Sequence, residues 1–297
     1  MNAAAELVRS HLRHHEPMSR HTSWRVGGPT DIYVEPQDLP ELQAFLAGLP
    51  ATTPLLWVGL GSNLLVRDGG FRGAVVCLGK GFANIETLDD VRLRAGAAVP
   101  CAKLAQHLGR AGLAGGEFLA GIPGTIGGAL AMNAGAHGGE TWQRVRAVTT
   151  IDRDGAVHAR TPADYRVAYR SVEGPAGEWF LGAEFDFEPS TAEQVQAAVH
   201  ALLRRRAATQ PLRQANAGSV FRNPPGDHAA RLIEAAGLKG LTVGKAQVST
   251  VHANFIVNLG GARAADIETL IDTLRQRVED AFGVRLEPEV RRVGEAG

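Results

Sequence analysis

The 297-residue chain has little cysteine, few aromatic side chains and no excess of charge of either sign. Its two cysteines, Cys77 and Cys101, are too few for a disulfide framework and lack the spacing of metal ligands. Lysine plus arginine and aspartate plus glutamate each total 31, a balance that argues against a general nucleic-acid binder. No stretch of about 18 apolar residues occurs, and residues 1–16 lack the apolar region of a signal peptide. We therefore expect a reduced, cytoplasmic protein that binds neither nucleic acid nor membrane.

Metal binding is also disfavoured by the sequence. Three histidines, at positions 11, 14 and 15, have the spacing of one helix face and could touch a metal. A solvated helix face is the favoured interpretation, and residues 2–13 predict a short N-terminal helix. We predict no metal site.

Glycine, in contrast, is plentiful, and residues 121–139 contain seven glycines and no Asp, Glu, Lys or Arg. Pro123-Gly124 predicts a turn, Thr125 a helix cap, and residues 126–133 the first turns of a helix. Such a helix start offers backbone N–H groups and a positive dipole end to an anion. A glycine-rich packing turn is the alternative, but the glycine density and the absence of charge favour a cofactor bed.

A second glycine cluster, residues 59–66, follows an apolar run that predicts a strand over residues 55–60. Its backbone amides and the Ser62-Asn63 pair could hold a pyrophosphate. It differs from the dinucleotide fingerprint of doubly wound folds, because the third glycine is absent and no helix pattern follows. A tight structural turn would explain this cluster alone, but two such loops in one half of the chain favour cofactor binding.

The remaining chain predicts a mixed α+β fold with a domain boundary near residue 190, where the composition changes. Apolar residues at helical spacing predict helices at 38–46, 101–113, 192–208, 228–236 and 264–282. Apolar or alternating runs predict strands at 31–35, 55–60, 74–78, 91–97, 145–152, 156–161, 179–187, 219–222, 255–259, 284–286 and 290–293.

Three side chains in the second half of the chain could carry chemistry, and each also has an ordinary structural explanation. Arg170, beside Tyr169, could bind a carboxylate with two N–H groups or form a surface salt bridge. Ser219 could donate a proton or simply occupy a turn. Glu289 could act as a general acid or belong to an exposed pair with Glu287. Together they suit a reaction that holds and then protonates an anionic intermediate, with a flavin supplying the hydride.

Several ordered motifs resemble the UDP-N-acetylenolpyruvoylglucosamine reductase family, from Thr22 to about Arg292. The motifs are Thr22-Ser23-Trp24-Arg25-Val26-Gly27-Gly28, residues 59–66, Gly116-Glu117-Phe118, residues 121–128 with 132–136, Gly218-Ser219-Val220-Phe221-Arg222-Asn223-Pro224 and Glu287-Pro288-Glu289-Val290-Arg291. The resemblance implies an α+β fold in which an FAD-binding module of the PCMH/vanillyl-alcohol-oxidase type precedes an α+β substrate-binding domain. It divides the chain into an N-terminal helix (1–20), two FAD-binding subdomains (21–80 and 81–189) and a substrate-binding domain (190–297).

The resemblance also implies an activity. NADPH would reduce non-covalently bound FAD, and the flavin N5 would then pass a hydride to C3 of the enolpyruvyl group of UDP-N-acetyl-3-O-(1-carboxyvinyl)-glucosamine. Ser219 would protonate C2, while Arg170 and Glu289 hold the substrate carboxylate and stabilise the enol form. The product, UDP-N-acetylmuramate, serves peptidoglycan synthesis. We expect a monomer.

The family's binding residues map onto two sets of positions. Those expected to bind FAD are Arg25, Gly59, Gly61, Ser62, Asn63, Leu64, Gly121, Ile122, Pro123, Gly124, Thr125, Gly127, Gly128, Asn133 and Gly135. Those expected to bind substrate are Tyr169, Arg206 and Asn223. No long insertion follows Arg170, as in the shorter members of the family. Two alternatives remain: another FAD-linked oxidase or dehydrogenase on the same scaffold, and a catalytically silent flavin or nucleotide-sugar binding protein.

Overall fold

The computed structural model describes residues 11–297, and its α-helices match most of the predicted ones closely. In chain order they are α1 (Leu39–Gly48), α2 (Cys101–Ala111), α3 (Ile126–Met132), α4 (Ala192–Thr209), α5 (Ala229–Ala235) and α6 (Ala264–Phe282). Short 3-10 turns lie at Met18–Arg20, Lys80–Phe82, Glu117–Gly121, Thr141–Gln143 and Pro162–Asp164.

Short β-strands separate these helices. They are β1 (Leu12–Pro17), β2 (Pro29–Val34), β3 (Leu55–Trp57), β4 (Leu64–Val66), β5 (Phe71–Val76), β6 (Ile85–Thr87), β7 (Arg92–Gly96), β8 (Leu113–Ala114), β9 (Gly135–Ala136), β10 (Gly139–Glu140), β11 (Val145–Asp152), β12 (Val157–Arg160), β13 (Arg166–Ala168), β14 (Ser171–Glu173), β15 (Glu178–Asp186), β16 (Glu188–Pro189), β17 (Ala215–Asn216), β18 (Thr242–Val243), β19 (Ala246–Val248), β20 (Ile256–Asn258) and β21 (Arg291–Val293). The larger sheets have the strand orders β1-β2-β5-β3, β12-β11-β15-β7-β6 and β17-β20-β19-β18, and β4 pairs in parallel with β21.

The chain divides into two compact units that are not sequential. Unit 1 comprises the segments up to Arg13, Ile32–Gly59 and Ala74–Arg206. Unit 2 comprises His14–Asp31, Leu60–Gly73 and Ala207–Gly297. The division into compact units does not show which part of the chain binds flavin and which binds substrate. The boundaries at residues 80 and 189, between the two FAD-binding subdomains and the substrate-binding domain, therefore stay a prediction.

Unit 1 is built on the antiparallel sheet β12-β11-β15-β7-β6, with helices α2 and α3 contributing to the same core. In α2 the apolar residues recur every three or four positions, so Cys101, Leu104 and Leu108 are all fully buried. The helix ends at Gly112, whose φ of 69° is the left-handed conformation of a C-terminal cap.

Unit 2 packs helices α5 and α6 into one core with the sheet β17-β20-β19-β18. The inward positions of α6 are fully or almost fully buried: Ile267, Leu270, Ile271, Leu274 and Val278. Asp68 accepts hydrogen bonds from the backbone N–H groups of Ala264 and Ala265, which satisfies two donors of the first helical turn. The helix therefore has a capped start as well as a buried face.

Three sequence predictions of secondary structure are wrong in whole or in part. The predicted helix over residues 2–13 lies mostly outside the described residues, and its end belongs to strand β1, beside β2 in the sheet. Residues 219–222 and 284–286 do not form strands. Phe221 makes only an isolated bridge with Pro288, and proline has no N–H group with which to extend a ladder.

Both cysteines are free thiols in unit 1, and we expect them to react slowly with iodoacetamide. Burial raises the pKa of Cys101 to about 12, so at about pH 8 only about one thiol in 10,000 is ionised. Burial also raises the pKa of the Cys77 thiol, although a hydrogen bond with Tyr33 opposes this. Mass spectrometry of alkylated native and urea-unfolded protein measures both rates. Equal rates at Cys101 in the two states would contradict its burial.

Candidate functional site

The glycine stretch over residues 121–139 forms a turn, a short helix and a hairpin in unit 1. Thr125 caps helix α3, because its Oγ1 accepts the backbone N–H of Gly128 at 3.4 Å. Asn133 ends the helix in the left-handed conformation, with a φ of 47°. Strands β9 and β10 follow as a hairpin whose turn residues, His137 and Gly138, both have positive φ. The predicted turn, cap and helix are thus confirmed.

The helix start does not, however, offer the free donors that the sequence predicted. The backbone N–H of Ile126 donates to the Val99 carbonyl at 2.9 Å, and that of Gly127 donates to the Ala97 carbonyl, also at 2.9 Å. The Gly124 carbonyl accepts the N–H of Cys101 at 2.9 Å. These bonds join the stretch to the segment between β7 and α2 and to the start of α2. They make the loop rigid, and they also occupy the N–H groups that the sequence predicted to be available to an anion.

The glycines of this stretch serve two different purposes. A Cβ atom on Gly127 would lie 2.9 Å from the Ala97 Cβ, and one on Gly59 would lie 2.5 Å from the Thr125 Oγ1. These two glycines permit close packing within unit 1. Gly128 is exposed, and a Cβ there would meet only the Thr125 Oγ1, at 3.8 Å. The space over Gly128 is therefore open to a ligand.

Arg170 lies against this stretch. It occupies the turn of the hairpin between β13 and β14, with a φ of 56°, and its Cζ lies 5.3 Å from the centre of the exposed Tyr169 ring. Its Nη2 donates to the Gly135 carbonyl at 2.8 Å, and its Nη1 donates to the Asn133 carbonyl at 3.5 Å. A left-handed conformation costs a non-glycine residue about 1–2 kcal/mol, so the surrounding contacts must hold Arg170 in place.

Asn133 connects the helix end to that hairpin through a fully bonded side chain. Its Nδ2 donates to the Glu140 Oε2 at 2.9 Å and to the Ala168 carbonyl at 3.1 Å. Its Oδ1 accepts the backbone N–H of Trp142 at 3.1 Å, and the residue is only 1% exposed. The expectation that Asn133 binds FAD stays a prediction, but the geometry gives it a structural role.

We expect Asn133→Ala to lower the free energy of unfolding by about 2–4 kcal/mol, because it leaves buried backbone groups unpaired and forces alanine into the left-handed region. Urea denaturation measures the change. Asn133→Gly is the matched control, since glycine adopts that conformation freely and loses only the side-chain bonds. Wild-type stability of Asn133→Ala would show that these bonds contribute nothing.

The second glycine cluster, residues 59–66, begins at Gly59 in unit 1 and continues into unit 2. Gly61 has a φ of 62°, and a Cβ there would overlap the His21 carbonyl. Its carbonyl accepts the backbone N–H of Ser23 at 3.1 Å. Within residues 11–297, the backbone N–H groups of Gly61 and Ser62 donate to no protein acceptor. Consecutive unpaired N–H groups in such a turn suit an anionic oxygen.

Ser219 and Glu289 lie on two segments joined by backbone hydrogen bonds in unit 2. The Val220 carbonyl accepts the N–H of Glu289 at 2.8 Å, next to Ser219. Asn63 of the glycine loop also joins this group, because its Nδ2 donates to the Glu289 carbonyl at 3.1 Å. The half-buried Ser219 hydroxyl makes no hydrogen bond within the described chain. A serine that only stabilised its turn would use that hydroxyl locally.

The other predicted residues lie in varied surroundings. In unit 2, Leu64 starts the buried strand β4, and Arg25 is exposed with a φ of 58°. Asn223 satisfies the first backbone donor of helix α5, because its Oδ1 accepts the N–H of Ala229 at 3.1 Å. In unit 1, Ile122 is buried and Pro123 exposed, whereas a Cβ on Gly121 would lie 3.0 Å from the Ala136 Cβ. Arg206 is half-buried, and burial lowers its pKa.

Asn254 is an important residue that sequence reasoning missed. Its Oδ1 accepts the N–H of Phe221 at 3.0 Å, its Nδ2 donates to the Phe221 carbonyl at 2.8 Å, and its own carbonyl accepts the N–H of Val220 at 2.9 Å. It is 3% exposed, so these bonds fix the backbone beside Ser219 from within the core. The available signal was a polar side chain within a mostly apolar run, residues 253–257.

Comparisons with known proteins identify the family of the chain. Residues 30–160 match an FAD binding domain, and residues 210–293 match the UDP-N-acetylenolpyruvoylglucosamine reductase C-terminal domain. A reductase of that name from Alkalilimnicola ehrlichii is 57% identical over 296 residues, covering 100% of this chain and 99% of the relative. One from Methylococcus capsulatus is 57% identical over 95% of this chain and 93% of its own length. The chain belongs to the UDP-N-acetylenolpyruvoylglucosamine reductase family.

A solved structure supports the fold as well as the family. The UDP-N-acetylenolpyruvylglucosamine reductase from Thermus caldophilus superposes with a TM-score of 0.81 at 36% identity, covering 93% of this chain and 97% of that one. The predicted α+β fold with an FAD-binding module is therefore confirmed. No helix in the described part of the chain is long and apolar enough to cross a membrane.

Proposed function

We propose that the chain is a UDP-N-acetylmuramate dehydrogenase. It reduces the enolpyruvyl group of UDP-N-acetyl-3-O-(1-carboxyvinyl)-glucosamine, with FAD as bound cofactor and NADPH as reductant, in peptidoglycan precursor synthesis. The observation that carries this proposal is the 57% identity to a named reductase over the full chain. Such an enzyme works on small molecules in the cytoplasm, as a monomer.

Each of the two units contains predicted FAD-binding residues whose surroundings suit part of that cofactor. In unit 1, the exposed Gly128 leaves open space above a loop that Thr125 and backbone bonds hold rigid. In unit 2, the N–H groups of Gly61 and Ser62 have no protein acceptor within the described residues, and they suit an anionic group such as a pyrophosphate. No carboxylate is among the predicted FAD-binding residues, and this suits a ligand with two phosphates.

Bound FAD supplies the hydride transfer from NADPH to C3 of the enolpyruvyl group. Hydride addition at C3 leaves negative charge on C2 and on the carboxylate of the substrate. Arg170 binds and stabilises that carboxylate, and Glu289 stabilises the enol form. Ser219 completes the reduction by donating its hydroxyl proton to C2.

Arg170 suits its role because its orientation is fixed before substrate arrives. The contacts of its Nη groups with the Asn133 and Gly135 carbonyls hold the guanidinium in one position. A preorganised cation stabilises developing negative charge without paying for reorientation during the reaction. A lysine would lack the planar, two-point geometry.

The proposal is tested by steady-state assay of the purified protein with NADPH and the enolpyruvyl sugar nucleotide. We expect NADPH oxidation that depends on the sugar nucleotide, and a product heavier than the substrate by two hydrogens, identified by mass spectrometry. NADPH oxidation that proceeds equally without the sugar nucleotide, or an unaltered sugar nucleotide, would refute the proposed function.

A further inference from the structure

A cavity of about 270 Å³ lies within unit 2, and none of the residues that line it is one of the predicted catalytic residues. Three segments line it: Arg25, the run from Arg213 to Ala215, and the end of strand β20 with the residues after it, Asn258 to Gly260. Whole-ligand pockets typically occupy about 300–1,000 Å³, so this cavity suits one part of a ligand.

Arg25 is presented to the cavity by a tight turn. Its backbone N–H donates to the Thr22 carbonyl at 3.0 Å, and the Thr22 Oγ1 donates to the Val26 carbonyl at 2.7 Å. Trp24 fixes the turn, because it is fully buried and its Nε1 donates to the Ile256 carbonyl at 2.7 Å. The positive φ of Arg25 is thus imposed by its neighbours, while its side chain remains exposed.

Arg213 reaches the cavity from a loop that is also fixed. The Asn216 Nδ2 donates to the carbonyls of Pro211, at 3.2 Å, and Gln214, at 2.7 Å. Ala215 then pairs with Asn258 in the sheet. Both arginines therefore extend from backbone whose position is set by hydrogen bonds.

The charge of the cavity is uncompensated by protein. No aspartate or glutamate lines it, and neither Arg25 nor Arg213 forms an ion pair or side-chain hydrogen bond within the described chain. Most other arginines of unit 2, such as Arg67 and Arg292, form ion pairs with carboxylates. Two guanidinium groups at one small cavity favour a multiply charged phosphate over a singly charged carboxylate.

We propose that Arg25 and Arg213 form a phosphate subsite that binds a phosphate group of one of the enzyme's nucleotides. Arg213, which has no role in the reaction described above, is the determining residue. This inference rests on the proposed function, since FAD, NADPH and the UDP-sugar are the phosphate-bearing ligands in question.

The test uses the purified holoenzyme and the variants Arg213→Gln, Arg213→Lys and Arg25→Asn. Asparagine accepts the left-handed conformation, so Arg25→Asn removes the charge without adding strain. Arg277→Gln, at an exposed position on α6, is the matched control. Inhibition by inorganic pyrophosphate at constant ionic strength is the direct probe, measured beside flavin content and the KM values for NADPH and the sugar nucleotide.

We expect Arg213→Gln and Arg25→Asn each to weaken pyrophosphate inhibition by about 10- to 100-fold, the loss of a charge-assisted hydrogen bond. Arg213→Lys should retain part of the pyrophosphate inhibition, because lysine keeps the positive charge. The nucleotide whose phosphate occupies the subsite is identified by the quantity that changes together with pyrophosphate inhibition. A change in flavin content indicates FAD, a change in the KM for NADPH indicates NADPH, and a change in the KM for the sugar nucleotide indicates the substrate. If Arg213→Gln matches Arg277→Gln in every quantity while wild-type enzyme is active, the subsite is wrong and the proposed function stands. An inactive wild-type enzyme would instead refute the function.

Discussion

Ser219→Ala is expected to slow reduction of the enolpyruvyl substrate by about 100- to 10,000-fold, the usual contribution of a positioned general acid. Reduction of the flavin by NADPH should stay close to the wild-type rate, because that half-reaction requires no proton from Ser219. Stopped-flow absorbance of the flavin measures the two half-reactions separately. The difference between them is the signature of a proton donor.

The structure makes this experiment informative because the Ser219 hydroxyl makes no hydrogen bond within the described residues. Its removal should leave the turn and the bonds to Asn254 intact, so thermal stability should change little. Ser190→Ala, at an exposed serine in unit 1, is the matched control. Equal slowing of both half-reactions would show that Ser219 has a structural role instead.

Gly128→Val should give a folded protein that binds FAD at least about tenfold more weakly, a loss of about 1.4 kcal/mol or more. The new side chain would occupy space that is open in the protein, since its Cβ would meet only the Thr125 Oγ1 at 3.8 Å. Valine is also a better helix former than glycine, so the helix itself should not suffer. Flavin content and affinity are measured by absorbance and fluorescence titration.

Two further variants separate ligand binding from folding. Gly48→Val, at an exposed glycine with nothing within 4 Å of the added Cβ, should keep its flavin. Gly127→Val should be destabilised as well as colourless, because its Cβ would lie 2.9 Å from that of Ala97. A stable Gly128→Val protein that retains its full flavin content would show that this face of the loop does not contact the cofactor.

The sequence predicted the regular elements best where a periodic apolar pattern coincided with clear ends. Helix α6 was predicted at Ala264–Phe282, and those are its observed bounds. Its apolar residues recur at helical spacing, and Gly283 ends it with a φ of 67°. Asp38 likewise caps α1, since it accepts the N–H of Glu41 at 2.9 Å.

The failures have a common physical cause, which is that long-range hydrogen bonds are not visible in local sequence. The N–H groups of Ile126 and Gly127 were predicted to be available to an anion, but they donate to carbonyls about 27–30 residues earlier. The end of the predicted helix over residues 2–13 instead begins strand β1, because the pairing with β2, and not the local composition, decides its conformation.

The candidate site shows the same limit. The motifs indicated Arg170 and the glycine stretch separately, and the structure joins them through the Gly135 carbonyl. Asn254 carried no motif, and only the fold reveals that it fixes the backbone beside Ser219. The roles assigned to these residues in binding and catalysis stay predictions until the variants are measured.

The flavin spectrum of the purified protein, recorded without oxygen, tests the central claim most directly. We expect a yellow protein whose flavin bleaches when NADPH is added and regains its colour when an equivalent of the enolpyruvyl sugar nucleotide follows. A protein that takes up no FAD even when it is supplied, or reduced flavin that the sugar nucleotide fails to reoxidise, would contradict the account.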